Sequence, residues 1–526
     1  MTATDLDRRE RELIDAAAVG MTISVWAAHR PDSIAVYDPD GTPHTYAEVN
    51  ANANRLARLL READLRPGDA VAQAVSNRME YIEILFACLR GGFRLTPINW
   101  HLTADEIGYI LNDCDAKAFF CDARVMDPQA AVAHAPKATL KIAVGGAIAS
   151  FLDYAAELNH FDPSDIADPV LGTGMLYTSG TTGRPKGVYR PTAVPVSRAQ
   201  CKDRLLDETS IAMCAGPSYH AAPLAFDIRF PMEAGATVVL MDKWDTERTL
   251  RTMVEYGVTH AHMVPIMFQR LLALPSEVRA RHDLSRIKYL LHGAAPCPPE
   301  VKHAMIDWVG PIIHEYYGGS EGGSGYLIDS HDWLRKPGSV GKRPVALGSK
   351  ILGDDGLECP PNVSGRIYQQ VPPTVGFSYY KDETKTQANR VGDYFTMGDI
   401  GYFDDEGFLF LTGRSAETII AGGVNIYPVE IDNELLKHPA VADSSTIGVP
   451  HDEWGEQVKA VILLRPGYEP SPALAEEILD LARVALPAFK TPRSLDFVAD
   501  LPRSEAGKVL RDKVRAPYWQ GRTRQI

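Results

Sequence analysis

One stretch of the sequence is too rich in glycine, serine and threonine to pack into a hydrophobic core. It runs from Tyr177 to Gly187 and follows Gly174–Leu176, which we interpret as a strand end. Backbone N–H groups, hydroxyls and access to positive φ together form a nest for phosphate oxygens, and a lysine adds a mobile positive charge. The spacing is not that of a Walker A loop. A phosphate site is therefore predicted at Thr178, Ser179, Gly180, Thr181, Thr182, Gly183 and Lys186.

A generic cluster of this composition is usually a surface loop, but the eleven-residue string as a whole resembles a known signature. It is similar to the phosphate loop of the adenylate-forming enzymes, which include acyl-CoA synthetases, luciferases and peptide-synthetase adenylation domains. These enzymes use ATP to convert a carboxylate to an acyl-adenylate and pyrophosphate, and the synthetases then pass the acyl group to CoA. The resemblance implies ATP, Mg²⁺ and CoA as cofactors or co-substrates, with a small-molecule carboxylic acid as partner.

Two further motifs extend the resemblance toward the nucleotide. The segment Tyr317–Glu321 is similar to the family's Tyr-Gly-x-Thr-Glu, with serine in place of threonine, although alone it could be a glycine-rich turn. The resemblance implies that the tyrosine lies near adenine and that Glu321, with Thr178, holds Mg²⁺, which prefers carboxylate and phosphate oxygens. The segment Gly293–Pro296 resembles the adenine-side loop. The ATP-binding residues implied here are Gly293, Ala294, Ala295, Pro296, Tyr317, Gly318 and Ser320.

The ribose and the reacting phosphate are matched further along the chain. Met397-Gly398-Asp399 resembles the family's Thr-Gly-Asp, whose aspartate accepts hydrogen bonds from the ribose hydroxyls, and Arg414 matches the Gly-Arg pair that follows. Each residue alone has an ordinary interpretation as a turn aspartate or a solvated arginine. The segment Pro502–Lys508 matches the C-terminal lysine motif. The resemblance implies that Lys508 contacts ATP and is catalytic, because it stabilises charge developing in the transition state.

One further motif concerns the second half of the reaction, and two positions depart from the family pattern. Gly422–Glu430 resembles the segment that lines the pantetheine tunnel, so Gly422 and Gly423 are implied as CoA-binding residues. The family usually has aspartate or lysine at its hinge, where this chain has Ala416, and Met397 replaces a small polar residue beside the nucleotide. Neither departure removes a group to which we assign chemistry.

The acyl pocket is predicted from the segment Ser218–Pro223, which resembles the family segment at the mouth of that pocket. His220 is implied there as a catalytic gate, with a structural histidine as the alternative. Small residues leave volume, which favours a sizeable apolar acid, either fatty or ring-bearing. Asp227 could pair with the α-amino group of an amino-acid substrate. It lies only eight residues before Gly235, however, which is too close to the turn into the next strand. The pocket residues are Tyr219, His220, Ala221, Gly318 and Gly319.

A pair of histidines offers a second interpretation, as metal ligands. His260 and His262 are two residues apart, as on one face of a strand, but the sequence shows no third ligand nearby. A structural role is therefore favoured over a metal site.

The alternation of predicted helices and strands along the chain predicts an α/β fold. A helix is indicated by apolar spacing at Val49–Ala63, and a capping box of Thr103 with Glu106 opens another. Short strands are expected at Ala70–Val75 and Tyr289–His292. Helices that alternate with short strands are typical of layered sheets.

Three regions differ in character along the chain. We expect a large N-terminal adenylation domain of αβα sheets over residues 1–414, with a β-rich, barrel-like part at about 335–412. Residues 415–526 should form a small α+β domain carrying the catalytic lysine, and the resemblance implies that it is mobile.

Composition narrows the setting. The 526 residues include 54 Lys+Arg against 68 Asp+Glu, a net charge of −14 that argues against non-specific nucleic-acid binding. Seven cysteines without a CxxC pair indicate reduced thiols. With no signal peptide and no stretch of about 20 apolar residues, we expect a cytoplasmic protein that is not integral to a membrane. The sequence leaves open whether the protein forms a homodimer.

Three hypotheses remain on the sequence alone. The first is an acyl-CoA synthetase for a hydrophobic acid, including an aryl or steroid acid–CoA ligase. The second is an adenylating enzyme that loads an acyl-carrier protein. The third is a catalytically dead homologue, against which the intact Glu321, Asp399, Arg414 and Lys508 argue.

Overall fold

The structure is a computed structural model that describes residues 3–178, 185–344, 347–371, 376–421, 424–451, 454–504 and 507–520. Its helices mostly connect strands of the same sheet, as the sequence predicts. A π-helix spans Pro223–Arg229, and 3₁₀ helices span Ser415–Glu417 and Ala516–Trp519. The α-helices are α1 (Ala3–Ala17), α2 (Thr22–His29), α3 (Tyr46–Glu62), α4 (Met79–Gly91), α5 (Ala104–Asp113), α6 (Pro128–Ala133), α7 (Tyr154–Leu158), α8 (Arg198–Lys202), α9 (Phe230–Ala234), α10 (Thr246–Glu255), α11 (Pro265–Leu272), α12 (Ser276–Ala280), α13 (Pro299–Val309), α14 (Ser330–Arg335), α15 (Glu383–Ala388), α16 (Pro428–Leu435), α17 (Pro472–Ala485) and α18 (Arg511–Arg515).

Most of the strands are short, and most of those in the first 320 residues are buried. They are β1 (Ile34–Tyr37), β2 (Pro43–Thr45), β3 (Ala70–Ala74), β4 (Arg94–Pro97), β5 (Ala116–Asp122), β6 (Leu140–Val144), β7 (Leu152–Asp153), β8 (Thr173–Gly174), β9 (Leu176–Thr178), β10 (Lys186–Tyr189), β11 (Ile211–Cys214), β12 (Thr237–Leu240), β13 (His260–Met263), β14 (Tyr289–His292), β15 (Ile313–Gly319), β16 (Gly322–Asp329), β17 (Ser349–Leu352), β18 (Gly365–Gln370), β19 (Ser378–Tyr379), β20 (Arg390–Val391), β21 (Tyr394–Phe395), β22 (Asp399–Phe403), β23 (Leu409–Arg414), β24 (Ile419–Ala421), β25 (Val424–Ile426), β26 (Val441–His451), β27 (Gly455–Leu464) and β28 (Ser494–Val498).

Two mostly parallel sheets dominate the N-terminal part. One has the order β16-β15-β14-β13-β11-β12-β1-β2, and the other has the order β7-β6-β5-β3-β4-β8. A third sheet, β19-β10-β9, is antiparallel. The predicted α/β class is confirmed. The capping box is also confirmed, since the backbone N–H groups of Thr103 and Glu106 each donate to the other's side chain.

The β-rich region and the C-terminal part form separate sheets. Strands β17 to β23, except β19, form an antiparallel sheet, as expected from the turn-rich sequence. Strands β24 to β28 form a five-stranded sheet. The chain therefore changes sheets between Arg414 and Ile419, and the domain boundary that we place at 414/415 stays a prediction. No helix in the described ranges is long and apolar enough to span a membrane.

The largest buried cluster packs α1 to α4 against both parallel sheets, and Trp26 lies inside it with no exposed surface. The indole N–H donates to the carbonyl of Glu233 over 3.1 Å. Gly235 ends α9 in the left-handed region, with φ of 84°. A Cβ at this position would lie 2.7 Å from the Trp26 ring. Only glycine satisfies both the backbone and the packing here.

We expect Gly235→Ala to lower the free energy of unfolding by about 2–4 kcal/mol, because a left-handed alanine and an overpacked ring each carry a cost. Urea denaturation followed by tryptophan fluorescence measures it. Gly68→Ala is the control, since Gly68 has φ of 93° and no neighbouring atom within 4 Å of a Cβ. An equal loss in the two variants would refute the packing argument.

Candidate functional site

Three of the predicted motifs lie at one edge of the larger parallel sheet. Strands β11, β13, β14 and β15 are adjacent and parallel. The segment Ser218–Pro223 follows the first, Gly293–Pro296 follows the third, and Ser320–Glu321 forms the turn after the fourth. Ligands of open α/β sheets bind outside the carboxyl ends of the strands. This edge is therefore the candidate active site.

A buried carboxylate links the large sheet to the β-rich sheet. Asp399 is 7% exposed and accepts a hydrogen bond of 2.7 Å from the hydroxyl of Tyr317. The Arg414 guanidinium lies 3.0 Å from its other oxygen, because β22 and β23 pair these two residues directly. Burial alone would lower the pKa of Arg414, but the negative charges of Asp399, Glu417 and Glu321 together outweigh burial, and the pKa is raised.

The phosphate-loop string is described at its two ends only. Thr178 closes β9 and pairs with Lys186, the first residue of β10. The Lys186 ammonium lies 2.7 Å from a carboxylate oxygen of Asp382. Glu321 accepts a hydrogen bond of 3.1 Å from the hydroxyl of Tyr379. The predicted phosphate-binding residues that lie outside the described residues are Ser179, Gly180, Thr181, Thr182 and Gly183.

Two features of this edge are not evident from the sequence. Arg190 donates to the carbonyl of Ser320 over 2.9 Å and so supports the turn that carries Glu321. Ala294 has a left-handed backbone with φ of 66°, which is uncommon for a residue other than glycine. Next to it, Gly293 lies against the ring of Tyr316, where a Cβ would collide. The backbone of the predicted adenine-side loop is thus constrained by its conformation at Ala294 and by close packing at Gly293.

Aromatic side chains gather beside the predicted acyl pocket. The rings of Tyr219 and His220 are 4.8 Å apart. Phe226 lies on the π-helix, a form frequently found at functional sites, and its ring is 4.9 Å from that of Tyr316. Gly319 faces Met397 and the Glu321 carboxylate, so a side chain there would contact the nucleotide-side motifs as well.

The two histidines of β13 contact protein groups. The ring of His260 lies 2.8 Å from the hydroxyl of Thr259, and Asp227 accepts the backbone N–H of His262 over 3.1 Å. Burial lowers the pKa of His262 to about 3 and raises that of Asp227 well above its ordinary value. Within the described ranges, no three metal-ligating side chains come together. The contacts of this pair therefore favour the structural interpretation.

The C-terminal lysine motif reaches the same edge. Gly507 has φ of 77° and lies against α11, where a Cβ would be 2.5 Å from Ile266 Cγ2. Lys508 ends 3.8 Å from a carboxylate oxygen of Glu417. Burial and the positive charge of Arg414 lower the pKa of Lys508, while Glu417 and Asp399 oppose the shift. Lys508 is therefore close enough to the Asp399–Arg414 pair to interact electrostatically with it.

A cleft of about 190 Å³ opens on the C-terminal sheet. Two exposed aromatic residues, Trp454 and Phe489, line it together with Arg493, whose guanidinium lies 5.7 Å from the Trp454 ring. Ala421 also lines the cleft, directly before the predicted CoA residues Gly422 and Gly423, which lie outside the described residues. The sequence analysis missed this cleft, since its aromatic residues are 35 positions apart and carry no motif.

Comparison with known proteins agrees with this geometry. The AMP-binding enzyme family model matches residues 23–380, and the model of its C-terminal domain matches residues 430–508. A feruloyl-CoA synthase of Amycolatopsis sp. is 33% identical over 91% of this chain and 94% of its own length. The fatty acid–(acyl-carrier-protein) ligase ScoC of Streptomyces coeruleorubidus is 30% identical over 96% of this chain and 97% of its own.

A solved structure covers nearly the whole fold. ATP-bound MatB from Rhodopseudomonas palustris superposes with a TM-score of 0.80 at 26% identity, covering 95% of this chain and 99% of MatB. The chain therefore belongs to the adenylate-forming AMP-binding enzymes of the acyl-CoA synthetase type, which are ATP-dependent ligases that adenylate a carboxylic acid.

Proposed function

We propose that the protein is an acyl-CoA synthetase that activates a hydrophobic carboxylic acid through an acyl-adenylate and transfers the acyl group to CoA, releasing AMP and pyrophosphate. One observation carries this proposal. The C-terminal unit is docked so that Lys508 lies near Asp399 and Arg414, at the strand edge that also holds Glu321. A lysine held near a nucleotide site is what the adenylation step requires.

In the first half-reaction, Asp399 accepts hydrogen bonds from the ribose hydroxyls, and Arg414 contacts the ribose or the phosphate. The substrate carboxylate attacks the α-phosphorus of ATP, the bond to pyrophosphate breaks, and the ammonium of Lys508 stabilises the charge that develops. The carboxylate of Glu321 and the hydroxyl of Thr178 are oxygen donors of the kind Mg²⁺ takes. Bound Mg²⁺ would neutralise phosphate charge there.

In the second half-reaction, the thiol of CoA attacks the acyl carbonyl and AMP leaves. The cleft of Trp454, Phe489 and Arg493 supports free CoA as the acceptor, since aromatic rings stack on bases and an arginine pairs with phosphate. Ala421 lines this cleft, and the next two residues in the sequence, Gly422 and Gly423, are the proposed pantetheine contacts. A carrier protein is the second candidate, favoured by the likeness to ScoC.

The acid is proposed to be apolar, with a ring-bearing acid favoured by two pairs of rings in this region, Tyr219 with His220 and Phe226 with Tyr316. His220, at the mouth, is proposed as the gate, and Gly318 and Gly319 are proposed to leave room beside it.

The proposed C-terminal domain turns about Ala416 between the two half-reactions. The change of sheet across the short 3₁₀ segment Ser415–Glu417 supports this division. All seven cysteines lie in described parts of the chain and are free thiols, which fits the proposed cytoplasmic setting.

The proposal is tested by measuring pyrophosphate release over acids of graded length and ring content. The best acid, radiolabelled, is then offered CoA or a phosphopantetheinylated carrier protein in parallel reactions. Acyl-CoA formation with an apolar acid supports the proposal. Exclusive transfer to the carrier would replace it with the second candidate, and absence of pyrophosphate release with every acid would refute adenylation.

Asp399→Ala should weaken binding of AMP and of Mg·ATP by a similar factor, between about 10- and 100-fold, because both ligands carry the ribose whose hydroxyls lose a charged acceptor. Isothermal titration calorimetry measures both dissociation constants. Asp405→Ala, in the exposed turn of the same hairpin, is the control and should bind both as the wild type does. Unchanged AMP affinity in Asp399→Ala would return this residue to a purely structural role.

Lys508→Ala should slow pyrophosphate formation by at least about 100-fold while leaving conversion of supplied acyl-adenylate to acyl-CoA largely intact. The reason is that its charge is needed only where pyrophosphate departs. Quenched-flow assays of the two steps measure the difference, with the exposed Lys513→Ala as control. Equal damage to both steps would contradict the assignment.

Trp454→Ala should raise the KM for CoA about tenfold, since base–aromatic stacking is worth roughly 1–3 kcal/mol, without slowing pyrophosphate release. Steady-state kinetics with varied CoA measure this. Tyr468→Ala removes an exposed aromatic residue of the same unit outside the cleft and should leave the KM unchanged. The same KM in Trp454→Ala as in the wild type would mean that CoA binds elsewhere.

A further inference from the structure

Two lysines converge on one tyrosine ring beside Glu321. The ammonium of Lys186 lies 5.9 Å from the centre of the Tyr379 ring, and that of Lys385, on α15, lies 5.2 Å from it. The hydroxyl of the same tyrosine donates to the Glu321 carboxylate over 3.1 Å. Lys385 belongs to none of the motifs that the sequence analysis singled out, so it was not among the predicted site residues.

The two ammonium groups are not equivalent. Lys186 is paired with Asp382 over 2.7 Å. The other oxygen of Asp382 accepts the backbone N–H of Lys385 over 3.0 Å and so caps α15. Within the described ranges, the ammonium of Lys385 makes no ion pair of its own. The Asp382 carboxylate therefore neutralises the ammonium of Lys186 but binds only the backbone of Lys385. The charge of the Lys385 ammonium can pair with another group.

The charges around Lys385 favour the binding of an anion beside it. Burial and the neighbouring charge of Lys186 lower the pKa of Lys385, and Asp382 and Glu321 only partly oppose this. Two like charges held close together are unfavourable until a polyanion lies between them. A triphosphate or pyrophosphate supplies several negative oxygens close together, each of which can accept a hydrogen bond from an ammonium group.

We propose that Lys385 is a second phosphate-binding cation of the site, which binds the β- and γ-phosphates of ATP together with Lys186. This inference rests on the proposed function, in which Glu321 would hold the Mg²⁺ of ATP, and on the prediction from the sequence that Lys186 binds phosphate. As the carboxylate oxygen bonds to the α-phosphorus, the bond from that phosphorus to the bridging oxygen breaks. The electron pair stays on the departing pyrophosphate. The ammonium of Lys385 stabilises the negative charge that the pyrophosphate gains.

The same geometry indicates that the side chain of Lys385 is not needed for the local fold. Helix α15 is capped through the backbone N–H of Lys385 and not through its side chain. Thr386 anchors the helix by donating to the Asp382 carbonyl over 2.8 Å and accepting the N–H of Tyr379 over 2.9 Å. Replacing the lysine with an uncharged side chain of similar length should therefore remove a charge and little else.

The test compares the affinities for Mg·ATP, Mg·pyrophosphate and AMP in three variants by isothermal titration calorimetry. Lys385→Met removes the charge, and Lys385→Arg keeps it. Lys381→Met is the matched control, because this lysine lies close by on the same segment and is paired with Asp115 over 2.9 Å. AMP lacks the β- and γ-phosphates, so it reports whether the nucleoside part of the site is intact.

We expect Lys385→Met to bind Mg·ATP and Mg·pyrophosphate about tenfold more weakly and AMP as the wild type does. Lys385→Arg should recover most of the loss, and Lys381→Met should match the wild type. An unchanged affinity for Mg·ATP, or an equal loss for AMP, would overturn the inference while leaving adenylation intact. A wild-type protein that bound no ATP would instead overturn the proposed function, and the inference with it.

Discussion

The buried carboxylate of Asp399 is the constraint on which the site depends. A carboxylate taken out of water is costly unless it is hydrogen-bonded and paired, and here Tyr317 and Arg414 supply both partners. One partner lies on β15 of the large sheet and the other ends β23 of the β-rich sheet. The two sheets must therefore dock in one register, and that docking creates the edge at which the nucleotide motifs meet.

The C-terminal unit has two different faces. Lys508 and Gly507 lie on the face that touches α11 and approaches Arg414, whereas Trp454 lines a cleft elsewhere on the unit. In the proposed mechanism, adenylation uses the first face and thioester formation uses the second. The proposed turn of this unit between the two steps would use each face in succession, and the short 3₁₀ segment Ser415–Glu417 is where the chain passes from one unit to the other.

Sequence reasoning succeeded where the signal is local and failed where it is not. The strand Tyr289–His292 and the capping box at Thr103 were predicted, because periodicity and capping act over a few residues. The pairing of Lys186 with Asp382 joins positions 196 apart, and no local pattern indicates it. The support that Arg190 gives to the turn carrying Glu321 was missed for the same reason. So was the position of Lys385 beside Tyr379, which donates to Glu321.

The site is electrostatically divided, and the division suits the proposed reaction. At the phosphate end, Lys186, Glu321 and Arg414 are charged groups suited to phosphates and their metal. At the acyl end, burial favours the neutral forms of Asp227 and His262, since it raises the pKa of the first and lowers that of the second to about 3. An apolar tail is stable only at the neutral end and a triphosphate only at the charged end. The carboxylate of the acid should therefore lie at the boundary between them, where it must meet the α-phosphate.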